Sequence, residues 1–437
     1  MKALVGCALS ALFAFQASSA DRPHLVLARD AARWIRAAAI RTPRGLTWPA
    51  NPLDPQSVQT NLYSGSAGVV LFFLELHATT GDPTDLATAA AGADEILAGL
   101  EAEPEAGLYS GLAGLGFVLA ETGKATGNAK YRDGARKVVS LLEARAKPAG
   151  GADGVSWNGT TDIIDGSAGI GLFLLYAARE LDLPEARALA ARAGRRLLEQ
   201  GTPDAAGRKW AMTPGEPLHL PNFSHGTAGI AYFLATLYQQ TRDRAFLDGA
   251  LAGARYLTVV ARTEGDTCLI FHHEPGEEGR ALYYLGWCHG PAGTARLWYR
   301  LWQVTGDPAW LAWMHKSARA ILASGVPERR TPGFWNNVSQ CCGSAGVADF
   351  FLSLHRATGD ASYLSYARRV NAQLAATATR DASGARWVQA EHRVRPDEVV
   401  AQTGWMQGAA GIGGWFLRLD AFERGAAGGI ALPDSPF

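Results

Sequence analysis

The chain has no surplus of either charge, no long apolar run in its interior and no Gly-X-Y period. Lys+Arg and Asp+Glu number 41 each in 437 residues, so the formal net charge is zero. Without a basic surplus, binding to nucleic acid or to an anionic membrane through a charged face is disfavoured. Charged residues make up 19% of the chain against 48% hydrophobic. That balance excludes intrinsic disorder and supplies a large core. Beyond the first fifteen residues, nothing approaches the ~18 uninterrupted apolar residues of a membrane-spanning helix, so no span is expected in the mature chain. Glycine, in contrast, is abundant, with 50 residues against a typical ~7%. The missing Gly-X-Y period excludes collagen, so the excess has a local source. Length alone allows about three domains of ~150 residues.

The N-terminus reads as an address. Met1-Lys2 precedes an apolar run from Ala3 to Phe15, and Gln16-Ala-Ser-Ser-Ala20 follows, with small residues at −3 and −1 for cleavage after Ala20. The chain is therefore expected to carry a signal peptide over residues 1–20 and to be exported, periplasmic or secreted, with a mature domain of 21–437.

The glycines belong to a repeat. Gly-x-Ala-Gly recurs seven times, beginning at Gly65, Gly111, Gly166, Gly226, Gly290, Gly343 and Gly408, at intervals of 46 to 65 residues. Each motif leads into a segment apolar nearly all round, such as Val69-Val-Leu-Phe-Phe-Leu74, which predicts a helix buried on most sides. Turns such as Thr80-Gly81-Asp82-Pro83, Thr305-Gly306-Asp307-Pro308 and Thr358-Gly359-Asp360 follow. There a left-handed glycine ends one helix and an aspartate caps the next. The second helices are amphipathic, as in Tyr363–Leu374. Helical hairpins of this length fit an open solenoid or a closed ring. The apolarity of the inner helices and the lack of polar end repeats favour closure. The predicted fold is all-α: one α/α toroid of seven inner and seven outer helices.

Residues just before each motif sit at inner-helix N-termini, all at one end of the ring, where free N–H groups favour thiolates and anions. Repeat three presents Asp162-Ile-Ile-Asp165, repeat four Asn222-Phe-Ser-His225, repeat five Gly286-Trp-Cys288-His289, and repeat six Ser339-Gln-Cys341-Cys342. Of five cysteines, Cys7 leaves with the leader, and three of the remaining four occupy these slots. Three thiolates from adjacent repeats match a zinc (Zn2+) site with an open fourth position. A disulfide from Cys288 to Cys341 or Cys342 is the competing reading, and His289 offers an alternative ligand. His225 suits a general acid or base near neutral pH, with Asp162 to orient it or carry a second proton. For Asp162 and Asp165 helix capping is the simpler role. Cys268 lies outside the pattern as an incidental thiol. His272-His273-Glu274 reads as part of a solvated acidic loop or lid.

These residues resemble the lanthionine synthetase C family of LanC-like lanthipeptide cyclases. The resemblance covers essentially the whole mature chain, and is most specific at Trp287-Cys288-His289-Gly290 and Cys341-Cys342-Gly343. It implies an α/α toroid with zinc at one end, held by Cys288 and Cys341. Cys342 stands where the family usually has His, as in related domains with a Cys-Cys-Gly version. His225 matches the family's proton-transferring His-Gly motif, and Asp162 its Asp four residues before the repeat-three glycine. Tyr284 stands where an Arg is expected. The implied reaction is Michael addition: a cysteine thiol of a peptide or small molecule adds to a dehydroamino acid, forming a thioether. The chain is read as a monomer with no nucleic-acid partner and no membrane span.

Two rivals remain from the sequence. One is an exported carbohydrate-processing toroid using paired carboxylates, with some of the 13 Trp stacking on sugars. The other is a non-catalytic scaffold with structural zinc.

Overall fold

The computed structural model describes residues 22–151, 153–426 and 428–437. The leader read at residues 1–20, including Cys7, lies outside the described residues. Seven inner helices follow the seven motifs: α2 (Ser66–Thr80), α4 (Leu112–Thr126), α6 (Ser167–Glu180), α8 (Thr227–Thr241), α11 (Pro291–Thr305), α13 (Ser344–Thr358) and α15 (Ala409–Glu423). Around them stand α1 (Pro23–Ala37), α3 (Pro83–Gly99), α5 (Ala129–Arg145), α7 (Pro184–Gln200), α9 (Arg244–Val260), α12 (Pro308–Ala323) and α14 (Ala361–Ala376). A short α10 (Glu277–Ala281) lies in the loop before α11. Each inner helix packs on the next, and α15 packs on α2, so the toroid closes.

In six repeats the outer helix follows its inner one. The seventh inner helix, α15, takes α1 as its outer partner instead. The two ends of the chain thus complete one hairpin, and the Arg22 guanidinium fastens it by donating to Asp420 at 3.1 Å. Every residue of α2 from Ser66 to Leu76 is buried, whereas α14 buries only the stripe Tyr363, Tyr366, Ala367, Val370, Asn371 and Leu374. Since full burial of a Leu or Phe side chain stabilises by about 1.5–3 kcal/mol, the inner ring carries most of the hydrophobic stabilisation.

The turn at Thr80-Gly81-Asp82 forms as expected: Gly81 is left-handed at φ 70°, and the Asp82 carboxylate accepts from Thr84 N at 2.8 Å. The same geometry recurs where the sequence disguises it. Asn128 caps α5 through Lys130 N at 3.1 Å, and Arg242 occupies the left-handed position at φ 61°.

At the other end of the inner helices, the loops fold back over the helix starts. A Cβ on Gly226 would lie 1.4 Å from the Leu220 carbonyl oxygen, and one on Gly293 1.9 Å from that of Trp287. The motif is glycine because backbone occupies the space of a side chain. The connecting loops include six two-stranded hairpins. In four of these loops a tryptophan indole anchors to an outer helix: Trp48 to Ile35 O (3.0 Å), Trp157 to Leu142 O (2.7 Å), Trp210 to Leu197 O (2.7 Å) and Trp387 to Leu374 O (2.8 Å). These tryptophans are structural posts rather than a sugar-stacking surface.

The C-terminal segment 428–437 returns to the ring among the last turns of the inner helices. Leu432 and Ser435 stand beside Arg300 and Gln239. Asp434, fully buried, accepts from the Tyr109 hydroxyl (3.2 Å) and the Trp287 indole (3.2 Å) and pairs with Arg296 (3.3 Å).

Candidate metal centre and acid–base pair

A circle of backbone hydrogen bonds builds the site. Going round the ring, Tyr63 N donates to Tyr109 O, Tyr109 N to Ile164 O, Ile163 N to Ser224 O, and Ser224 N to Cys288 O. Cys288 N then donates to Cys341 O, Cys341 N to Met406 O, and Met406 N back to Tyr63 O, all at 2.8–3.2 Å. The residue two before each motif's first glycine is therefore pinned to its counterpart in the next repeat, except that in repeat three Ile163 takes over the donor's place from Ile164. Cys288 and Cys341 are such counterparts, so their side chains emerge side by side.

Cys288, Cys341 and Cys342 converge with their sulfurs all within 4.8 Å of one another. Cys288 Sγ is 3.0 Å and Cys341 Sγ 3.4 Å from Cys342 Sγ. All are free thiols, as is Cys268, so the disulfide reading is not the arrangement adopted. Hydrogen bonds from Cys288 and Cys342, with a further one from the Tyr63 hydroxyl, hold the Cys341 thiol well below its ordinary range against burial. Burial pushes Cys288 up. Hydrogen bonds to the other two thiols, followed by burial, push Cys342 up. A cation would be needed to hold all three as thiolates. A soft, three-sulfur donor set of this kind fits a borderline-soft divalent metal.

Tyr63 and Gln407 support the cluster. The Tyr63 hydroxyl donates to Cys341 Sγ at 3.1 Å and accepts from Gln407 Nε2 at 2.9 Å. The sequence reading passed over both, although they occupy the same pre-glycine slots, in repeats one and seven. The slot, rather than the residue type, was the available signal.

His225 Nδ1 lies 2.6 Å from Asp162 Oδ2. Asp162 is completely buried, and its other oxygen accepts from Asp165 N at 3.0 Å. Asp162 therefore orients a histidine instead of capping α6, whose N-cap is Gly166. Burial works against charge on His225, but the Asp162 hydrogen bond and charge outweigh it, and the net direction is upward. The hydrogen bond to Nδ1 leaves Nε2 to exchange a proton. Asp165 sits next to this pair, its carboxyl pushed up by burial.

Two cavities of about 260 and 200 Å³ meet at this point, sharing Tyr63, His225, Cys288 and Cys341 in their walls. His289 and Tyr284 line the second. His289 is not among the metal-capable cluster; its ring packs against His272 (centroids 4.2 Å) and Tyr284 (5.5 Å). The His272–Glu274 segment is not a solvated lid. His272 packs on Tyr284 at 4.6 Å, and Glu274 is 5% exposed, held by Lys209 at 2.7 Å, the Tyr256 hydroxyl at 2.8 Å and Arg280 at 2.6 Å. The acidic side chain was drawn inward by three donors that lie far apart in sequence. Cys268 is buried in a hairpin strand away from the cluster, its thiol pushed up to about 12 by burial.

The family model for lanthionine synthetase C-like proteins matches residues 56–425. Among solved structures, nisin cyclase superposes with a TM-score of 0.62 at 16% identity, covering 91% of this chain and 93% of that one. The Lin0763 protein from Listeria innocua gives 0.51 at 13% identity, over 92% and 99% of the two chains. An inactive variant of the α-1,6-mannanase GH76A of Salegentibacter sp. HEL1_6 gives 0.50 at 14%, over 91% and 98%. At these identities the three share the fold. No curated protein matches the sequence.

Proposed function

The chain belongs to the lanthionine synthetase C-like protein family, and from that premise we propose that it is a zinc-dependent enzyme forming thioethers by adding a cysteine thiol to a dehydroamino acid. The observation that carries this reading is the meeting of three free thiols and a carboxylate-oriented histidine at the wall of one cavity of about 200 Å³. Cys288, Cys341 and Cys342 would hold the zinc, which when bound supplies the positive charge that keeps a substrate thiol deprotonated near neutral pH.

In the addition, the substrate sulfur forms a bond to the β-carbon and the C=C π electrons move toward the carbonyl, leaving an enolate. The thiol's own proton passes to solvent before attack, and solvent returns one to His225 after the addition. His225, in its protonated form paired with Asp162, delivers a proton from Nε2 to the α-carbon, which completes the thioether. The buried Asp162 fixes the ring and favours its charged form. Tyr63 donates to Cys341 and so tempers the charge of the thiolate set. The leader read in the sequence would place this reaction outside the cytoplasm. Paired-carboxylate chemistry on carbohydrate has less support, because the Asp162 carboxylate is already engaged by His225 and Asp165 N.

Metal analysis of the purified mature chain together with addition of a thiol to a dehydroalanine peptide tests the proposal. About one zinc per chain and turnover that His225→Ala lowers by about 10²–10⁴-fold are expected. Absence of zinc with the cysteines oxidised would overturn it, and zinc without turnover would leave a scaffold.

A further inference from the structure

The second cavity contains a cation that the thiol chemistry has not yet used. The last hairpin pairs Val388–Ala390 with Val399–Ala401, and the loop between them brings Glu391, His392 and Arg393 into the lining of the cavity beside the three cysteines. The hairpin is anchored to the segment that precedes Cys341. The Trp335 indole donates to Ala390 O at 2.9 Å, Asn336 Nδ2 to Pro396 O at 2.9 Å, and Ala390 N to Asn336 O at 3.1 Å.

Arg393 is the one arginine or lysine among the residues lining either cavity. Among the described residues it forms no salt bridge, although its neighbours Arg386 and Arg395 do. Glu391, the acid nearest in sequence, is already engaged as acceptor from Gln402 Nε2 at 2.7 Å. The Arg393 guanidinium instead approaches the Tyr284 hydroxyl. A half-buried guanidinium without a carboxylate partner, facing a cavity walled by Tyr284, Trp335 and His289, is arranged to receive an anion.

We propose that Arg393 forms a carboxylate subsite and that the thiol substrate is a carboxylate-bearing one: a small thiol acid, or a cysteine at the C-terminus of a peptide. An internal peptide cysteine, whose carboxyl is an amide, lacks the group this subsite takes. The thiols and Arg393 line the same cavity of about 200 Å³, a scale at which one cysteine-sized molecule reaches both. This inference rests on the thiol reading of the site, and it narrows that reading to a substrate class.

The test is equilibrium binding, by titration calorimetry, of N-acetylcysteine and of its uncharged amide to the zinc-loaded full chain, to Arg393→Gln and to Arg393→Lys. The wild type is expected to prefer the carboxylate roughly 10-fold or more, as for a hydrogen bond to a charged group. Arg393→Gln should bind the two thiols equally, and Arg393→Lys should keep part of the preference. Equal binding by the wild type, or a preference that survives in Arg393→Gln, overturns the subsite. A chain that prefers the carboxylate but catalyses no addition keeps the subsite and loses the proposed reaction, so the two failures are distinguishable.

Discussion

At the end of the ring where the inner helices finish, buried charge is matched by opposite charge. Arg418 lies between Glu75 at 3.2 Å and Asp349 at 3.0 Å, and the tail residue Ile430 donates to Glu75 at 2.9 Å. At the end where the inner helices begin, like meets like: three sulfurs lie within 4.8 Å of one another, and the Glu391 carboxylate near Arg393 is taken by Gln402. Both ends are built from the same hairpins. The difference separates a seal from a site, because a set of acceptors gathered without a cation of its own is poised to bind one, whereas a satisfied ion pair has little left to offer a ligand.

The sharpest way to break the contrast is at the sulfurs. Cys341→Ala should lose the metal and reduce thiol addition to background, read by metal content and by rate, while the tail end keeps its stability. His225→Ala should retain the metal and lose about 10²–10⁴-fold in turnover. If it lost the metal as well, the separation of binding from proton transfer would fail.

The opposite end should respond in stability instead. Arg418→Met leaves Glu75 buried without its cation and is expected to cost about 3–5 kcal/mol, measured by denaturant unfolding, with metal content unchanged. A variant of wild-type stability would show that this charge matching does not seal the ring.

A smaller effect concerns pH. The folded-state pKa of His225 is raised, so its contribution to stability is complete below its unfolded value near ~6.5 and is lost as pH rises through the folded one. As the acid, it should sustain turnover to a pH above the ordinary histidine range before activity falls. Asp162→Asn removes the partner that opposes burial, so the alkaline limb of the rate profile should move to lower pH; an unmoved limb would exclude His225 as the titrating acid. The smallest change is at a turn of the sealed end. Arg242→Gly relieves a left-handed non-glycine and should stabilise by about 1 kcal/mol, visible as a higher melting temperature with no change in turnover.

Much of this arrangement was legible in residues 65–411, because the seven motifs mark seven helix starts and the apolar segments behind them can only be buried. The slot logic located Cys288, Cys341, Cys342, His225 and Asp162, since residues at equal offsets from a repeated helix start share one end of a ring. The same logic, applied without regard to residue type, reaches Tyr63 and Gln407. The acidic loop around Glu274 misled, because its partners Lys209, Tyr256 and Arg280 are brought to it by different segments. The slot logic offered nothing for Arg393, which lies on a hairpin with no counterpart motif.

The sequence by itself determined the repeat, the buried inner helices and the chemical types gathered at one end, because periodicity and local capping are encoded over a few residues. Tertiary structure alone decided that α1 completes the seventh hairpin, that the tail seals one end, and that a backbone circle brings Cys288 against Cys341 while Arg393 enters the same cavity. Those contacts join residues up to several hundred positions apart. Only closure of the ring sets which of them meet.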